Sequence, residues 1–371
     1  MKRSQFAFGL AALLLALCSP AQASPTENST VSYKQVEIVF ALDTTGSMSS
    51  MIAATKQKIW SIVRALSEAE STPTIQLGFV AYRDRSDAYV TQRVPLTQDI
   101  DTAYVRLMEF EAGGGGDTPE SVNQALHEAV SLSRWSDGTD TLRVVFLVGD
   151  APPQMNYGDD VPYPRSCALA AEMGIRVHTI QCGRNAETRK IWREIATCAR
   201  GEYFAIAQRE LNESIKTPFD RQLALHARLL DGTILPYGSD EQQELQHQRL
   251  DAARTIDKEA PAEAKAERAR YKAGMESLVA DGDLVSDVQS GATDLASIAD
   301  DWLPPRLRKL PSEQRRQYLD DLFRRRRGLR SEIEWFSRER DKYIQEHYRR
   351  DDSLDRRVIR SLLGPADPER D

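Results

Sequence analysis

The stretch Val36 to Met48, VEIVFALDTTGSM, decides how the rest of the chain is read. Val36 to Leu42 has the length and β-rich content of a strand covered on both faces, and the helical spacing of Met48, Met51, Ile52, Ile59 and Val63 begins immediately after it. Between the two, Asp43, Thr44, Thr45, Gly46 and Ser47 form an abrupt polar turn. It therefore lies at the carboxyl end of a parallel strand, where open α/β sheets place their ligands. Asp43, Thr45 and Ser47 alternate, so three oxygen side chains can converge on one point. Taken alone, the turn reads as a helix cap, as the loop of a nucleophilic carboxylate, or as part of a shell around a divalent cation.

Outward from this turn, strands and helices alternate. Thr74 to Ala81 is a second strand, and the charged turn Arg83 to Asp87 sends Ala88 to Val94 back as an antiparallel edge. Ile100 to Phe110 is a short helix that empties into Gly113, Gly114, Gly115 and Gly116. Four glycines disfavour helix and strand alike, so this is a loop in which backbone approaches closely. Asp117 and Thr118 follow, and Pro119 fits the first turn of a helix carrying Val122, Ala125, Leu126 and Ala129. Leu142 to Val148 is the most apolar strand and ends at Gly149 and Asp150. Ile175 to Gln181, the helix Ala186 to Cys198, and Tyr203 to Ala207 continue the alternation. Over residues 34–208 this is a doubly wound, mostly parallel α/β sheet with one antiparallel edge strand.

Beyond Gln208 strand-like runs give way to charged, helix-favouring sequence. Phe219 to Leu230 reads as a closing helix. Glu241 to Lys272, polar nearly all round and broken at Pro261, reads as an exposed or connecting helical stretch. From Ser312 to His347 apolar residues recur at spacings of three, four and seven, which predicts a helical hairpin or small bundle, with Trp335, Phe336 and Tyr343 in its core. The expected domains are therefore a linker over 24–33, an α/β domain over 34–235 and an all-α region over 236–371.

Residues 1–23 run from Lys2 and Arg3 through an apolar stretch to Ala21, Gln22 and Ala23, the order of a secretory signal peptide. Export, to the periplasm or beyond the cell, is the expectation. Removing Lys2 and Arg3, with no acids among residues 1–23, takes the formal net charge of the 371-residue chain from -7 to -9, which argues against nucleic acid as a partner. Cys167, Cys182 and Cys198 then remain. Cys167 starts a helix and Cys182 ends the strand it feeds, whereas Cys198 lies roughly 20 Å further along the next helix. The expected bridge is Cys167 to Cys182, closing a loop of about 15 residues that stabilises by about 3 kcal/mol, with Cys198 unpaired. His127 and His178 fall on a helix and in a strand without a nucleophile motif, and read as packing residues.

Asp43, Thr45, Ser47, Thr118 and Asp150 all reach one edge of the sheet. Hydroxyls and carboxylates without His or Cys suit a hard cation, Mg2+ or Mn2+ before zinc. In this order DTTGSM, GGGGDTPE and FLVGDAPP resemble the three segments of the metal-ion-dependent adhesion site of the von Willebrand factor type A family, a resemblance that covers about half of the chain. The segment GFVAYRD, Gly78 to Asp84, is similar to bacterial and kinase-associated branches. The resemblance implies a Rossmann-like fold and a cation held by Asp43, Thr45, Ser47, Thr118 and Asp150. One coordination position is then left for an acidic group of a protein partner. The resulting expectation is an exported, non-enzymatic adhesion module. Two alternatives stand beside it. The Asp-x-Thr-Gly-Ser turn is also similar to the haloacid dehalogenase-like phosphotransferases, with Asp43 as nucleophile. A structural envelope protein, self-associating through its C-terminal helices, is the other.

Overall fold

The computed structural model describes residues 33–68, 73–116, 119–206, 215–279, 281–348 and 354–363. The expected signal peptide lies outside the described residues, as do Asp117 and Thr118. Everything described belongs to one unit, Ser32–Asp371.

Val36 to Leu42 is buried along its whole length because β1 (Gln35–Asp43) is flanked on both edges and covered on both faces. It pairs in parallel with β2 (Thr74–Tyr82) and with β4 (Thr141–Gly149). The sheet continues to β5 (Ile175–Cys182) and β6 (Tyr203–Ile206) on one side and to antiparallel β3 (Thr91–Thr97) on the other, in the order β3-β2-β1-β4-β5-β6. The edge strand thus starts three residues later than the sequence predicts and is antiparallel as expected. Gly78 permits the close approach of β3, since a Cβ there would lie 3.1 Å from the Val94 carbonyl oxygen.

Alternation along β1 divides the core. Phe40 and Leu42 face α1 (Ile52–Ser67) and α2 (Ile100–Glu109), while Val39 and Ala41 face α3 (Val122–Ser131), α4 (Tyr163–Glu172) and α5 (Ala186–Cys198). On the first face a ladder of rings crosses the sheet from Phe79 through Phe40, Phe146 and His178 to Phe204, with centroids 5.0 to 6.0 Å apart. His178 is a packing residue, as expected. Burial, then the nearby Arg176, pushes its pKa down to about 4, so it stacks as a neutral ring.

The same alternation corrects the expected disulfide. Cys182 points into the Phe40 face, whereas Cys167 belongs to the opposite core. No bridge can cross the sheet. Helices α4 and α5 instead lie side by side on the second face, which brings Cys167 and Cys198 to a Cα–Cα distance of 5.8 Å in a disulfide and leaves Cys182 a buried free thiol.

The helical half differs from its expected form in two further respects. Pro261 does divide it, into α7 (Asp240–Glu259) and α8 (Ala262–Gly274), but α8 is neither exposed nor a connector. Glu267, Arg268 and Lys272 are buried because partners from other elements meet them. Arg268 bonds Asp101 on α2 at 2.7 Å and Asp231, at the end of α6 (Asp220–Asp231), at 2.8 Å. Ser312–His347 is one unbroken helix, α10, and no hairpin. Its buried positions Leu319, Arg326, Leu329, Ile333, Ser337, Arg340 and Ile344 make a single stripe, and its packing partners come from earlier in the chain. Arg326 reaches Asp283, at the start of α9 (Leu284–Ser290), at 2.7 Å. Phe336 joins the α6 and α8 cluster, but Trp335 stands 49% exposed on the far side of the helix. The last described helix, α11 (Leu354–Leu363), lays Leu354, Val358 and Leu362 on the Phe40 face of the sheet.

Candidate metal centre

Asp43 ends β1 wholly buried between β2 and β4. Its Oδ1 accepts the backbone N–H of Thr45 at 2.8 Å and the Thr45 hydroxyl at 2.6 Å, while its Oδ2 is buried with no hydrogen-bond partner. The Ser47 hydroxyl donates to Asp150 Oδ1 at 3.0 Å and lies 3.0 Å from the Thr45 hydroxyl oxygen. The four side chains make one continuous line across the ends of β1 and β4. A hydroxyl has one proton to give. With those of Thr45 and Ser47 committed to carboxylates, their oxygens present lone pairs to each other, an arrangement that a cation relieves.

Two neighbours make the approach possible. Gly149 lets β4 pass so close that a Cβ on it would fall 2.8 Å from the Cβ of Asp43 and 2.5 Å from the Tyr82 hydroxyl. Gly46 donates its N–H to the Gly114 carbonyl at 3.0 Å, and a Cβ there would sit 2.8 Å from that oxygen. The glycine run is thus clamped to the turn, with Gly113 donating to the Thr44 carbonyl and with Gly114 and Gly115 in the left-handed region.

The charged turn after β2 is a buttress that the sequence did not disclose. Arg83 donates from Nε to the Thr44 carbonyl at 3.1 Å and from Nη2 to the Glu111 carbonyl at 2.7 Å, and its guanidinium lies over the Tyr89 ring. Asp87 accepts the Gly115 N–H on both carboxylate oxygens at 2.9 Å. Both ends of the glycine loop are therefore tied to one turn.

Glu120 is a site acid that the sequence reading missed. Its backbone exchanges bonds with the loop after Asp150, donating to the Pro152 carbonyl at 3.0 Å and accepting from Gln154 at 2.7 Å. This holds its carboxyl beside Thr45 and Gly115, with Oε2 buried and unpartnered. A cavity of about 430 Å³ opens here, lined by Ser47, Gly115, Glu120, Asp150 and Arg184 among others. The signal was present as the last letter of GGGGDTPE, but an acid just ahead of a helix is common enough to carry no sign of a site.

Burial is the main electrostatic influence on all three carboxyls. It pushes Asp43 up to about 7, opposed by the Thr45 bonds and aided by the charge of Asp150. It pushes Glu120 up to about 8, with Asp43 and Asp84 adding to it, and raises Asp150 as well. Cys182 also lines the cavity, and its thiol is raised by burial and then by Asp43 and Asp150. A buried thiol held protonated is a poor ligand, which leaves an all-oxygen donor set of the kind hard cations take. No group of three or more His, Cys, Asp or Glu side chains is arranged to hold a metal among the described residues; here carboxylates are interleaved with hydroxyls. Of the expected ligands, Asp43, Thr45, Ser47 and Asp150 are brought together, and Thr118 lies outside the described residues.

Residues 37–209 match the family model of the von Willebrand factor A domain. An ariadne-like RING finger protein of Acanthamoeba polyphaga mimivirus is 28% identical over 119 residues, 32% of this chain and 11% of that protein. An alpha-protein kinase of Dictyostelium discoideum is 31% identical over 118 residues, 32% of this chain and 18% of that one. The chain thus spans less than a fifth of the length of either relative. Among solved structures, the SpRpn10 VWA domain is matched over 47% of this chain and 89% of its own, at 11% identity and a TM-score of 0.36. Proximal thread matrix protein 1 from the mussel byssus is matched over 50% of this chain and 44% of its own, at 14% identity and a TM-score of 0.37.

Proposed function

We propose, from the premise that residues 37–209 are a von Willebrand factor A domain, that this protein is a cation-dependent binding module for a partner bearing an exposed carboxylate. The observation that carries the reading is the line Asp43, Thr45, Ser47 and Asp150, with Asp43 Oδ2 buried and without a partner. These four side chains would hold Mg2+ or Mn2+, with Thr118 as the further ligand that the family resemblance implies. Glu120 would act beside them as a buried acceptor. The ion supplies a Lewis-acidic position for an anionic oxygen; the chain supplies the fixed oxygens, the clamped glycine loop and a cavity open to a partner. The Cys167–Cys198 bridge favours an exported location, since disulfides persist in oxidising compartments.

The test has two readouts. Isothermal titration with MgCl2 should show one site in the wild-type protein and none in Asp43→Ala, and partner capture from envelope extract should fall with chelator and with that variant. Capture unchanged under both treatments, in a protein that binds Mg2+, refutes the adhesion reading. Absence of Mg2+ and Mn2+ binding refutes the metal centre itself.

A further inference from the structure

The turn from β5 into α5 forms part of the wall of the cavity at the metal centre, where residues 182–185 lie alongside Ser47, Glu120 and Asp150. Gly183 opens this turn with a φ of 83°, in the left-handed region. The Gln181 side chain then donates to the Asn185 carbonyl at 2.7 Å, and the Asn185 side chain accepts the Glu187 and Thr188 N–H groups at 2.9 and 3.0 Å. The Thr188 hydroxyl donates to the Asp150 carbonyl at 3.1 Å. The turn is therefore fixed to the residue that ends β4 and closes the line of candidate ligands.

Arg184 stands on this fixed turn with its side chain unengaged. It is exposed, and among the described residues no hydrogen bond, ion pair or ring contact reaches it, although Glu120 and Asp150 line the same cavity. The arginines of the buttress turn differ: Arg83 is committed to the Thr44 and Glu111 carbonyls, and Arg85 to Asp159 and Asp160. Arg184 is also the only Lys, Arg or His among the described residues that line the cavity.

Charge gives this free guanidinium a task. Asp43, Glu120 and Asp150 set three carboxyls against the two charges of a divalent ion, and an incoming carboxylate adds a fourth negative group. A guanidinium supplies the missing positive charge, and its forked N–H donors match the two oxygens of a carboxylate. We infer that Arg184 is a specificity-determining residue of this site, bonding the incoming carboxylate beside the cation. The partner is then recognised through an aspartate or glutamate side chain, and a neutral amide oxygen is refused because it leaves Arg184 without an anion. The inference rests on the cation-dependent reading proposed above and adds to it the residue that tells acid from amide.

The full-length protein is titrated, with and without saturating MgCl2, with the capped tripeptides acetyl-Gly-Asp-Gly-amide and acetyl-Gly-Asn-Gly-amide, and binding is followed by ligand-observed NMR. The Asp peptide binds only with MgCl2, and the Asn peptide at least about tenfold more weakly. Arg184→Gln weakens the Asp peptide about tenfold, the loss of a charge-assisted hydrogen bond, and leaves the Asn peptide and the calorimetric Mg2+ affinity unchanged. Arg189→Gln removes the same charge from an exposed position on α5 that does not line the cavity, and leaves Asp-peptide binding unchanged. Thermal melts check that both variants fold. Unchanged Asp-peptide binding in Arg184→Gln, an equal loss in Arg189→Gln, or a matching loss of Mg2+ affinity overturns the inference and leaves the cation-dependent reading standing. Failure of the wild-type protein to bind the Asp peptide in MgCl2 overturns that reading and this inference with it.

Discussion

Replacing Glu267 by Gln tests how the two halves of the chain are held together. Glu267 is 7% exposed on α8; its Oε1 accepts from Arg340 on α10 at 2.8 Å, and its Oε2 lies 2.6 Å from Arg64 Nε on α1. Burial by itself would raise this carboxyl, but Arg64 and Arg340 outweigh it and hold the pKa at about 2 instead of 4.5. An acid depressed in the folded state contributes its full stabilisation above the unfolded pKa and loses it as pH falls toward the folded value. The window for Glu267 therefore runs from about 4.5 down to about 2, and the gap is worth about 3 kcal/mol. That agrees with the roughly 3 to 5 kcal/mol expected when one partner of a buried ion pair is removed. Arg340 keeps Asp220 at 2.8 Å, so the lower end applies. Urea unfolding followed by circular dichroism at pH 7, 4.5 and 3 should show Glu267→Gln less stable by about 3 kcal/mol at pH 7, with the deficit shrinking at pH 3. A deficit below about 1 kcal/mol at pH 7, or one that is the same at pH 7 and pH 3, would refute the reasoning.

Two further predictions concern the first half. The Cys167–Cys198 bridge joins positions 31 residues apart and stabilises by about 4 kcal/mol in the chain-entropy model. Cys167→Ser should lower the melting temperature while Cys182→Ser does not abolish the bridge, and non-reduced peptide mapping that finds Cys182 in a disulfide would contradict the structure. Gly149→Ala places a methyl group 2.5 Å from the Tyr82 hydroxyl and 2.8 Å from the Cβ of Asp43. It should cost about 1 to 3 kcal/mol by overpacking and weaken Mg2+ binding in calorimetry; an unchanged affinity would mean that Asp43 is not a ligand.

What the sequence disclosed and what it hid divide along one physical line. Asp43 and Asp150 were legible because each follows an apolar run long enough to be a central strand, and strand ends in a doubly wound sheet gather at one edge. The order of strands, including the antiparallel edge, followed from the same alternation. The disulfide was misread because position along the chain leaves out which face of β5 the Cys182 side chain takes, although the period of two in a strand decides that as firmly as distance does. Glu120, Asp87 and the acids and bases of α8 were illegible for a different reason. A charged residue advertises solvent until its partner is known, and those partners lie far away in sequence: Arg268 finds Asp101 167 residues back, and Gly115 finds Asp87 28 residues back. Apolar periodicity reports the mean environment of an element, whereas charge pairing depends on the tertiary contact itself. The polar half of this fold, including the buttress that shapes the candidate metal centre, is therefore written in pairs that a single chain read in order does not display.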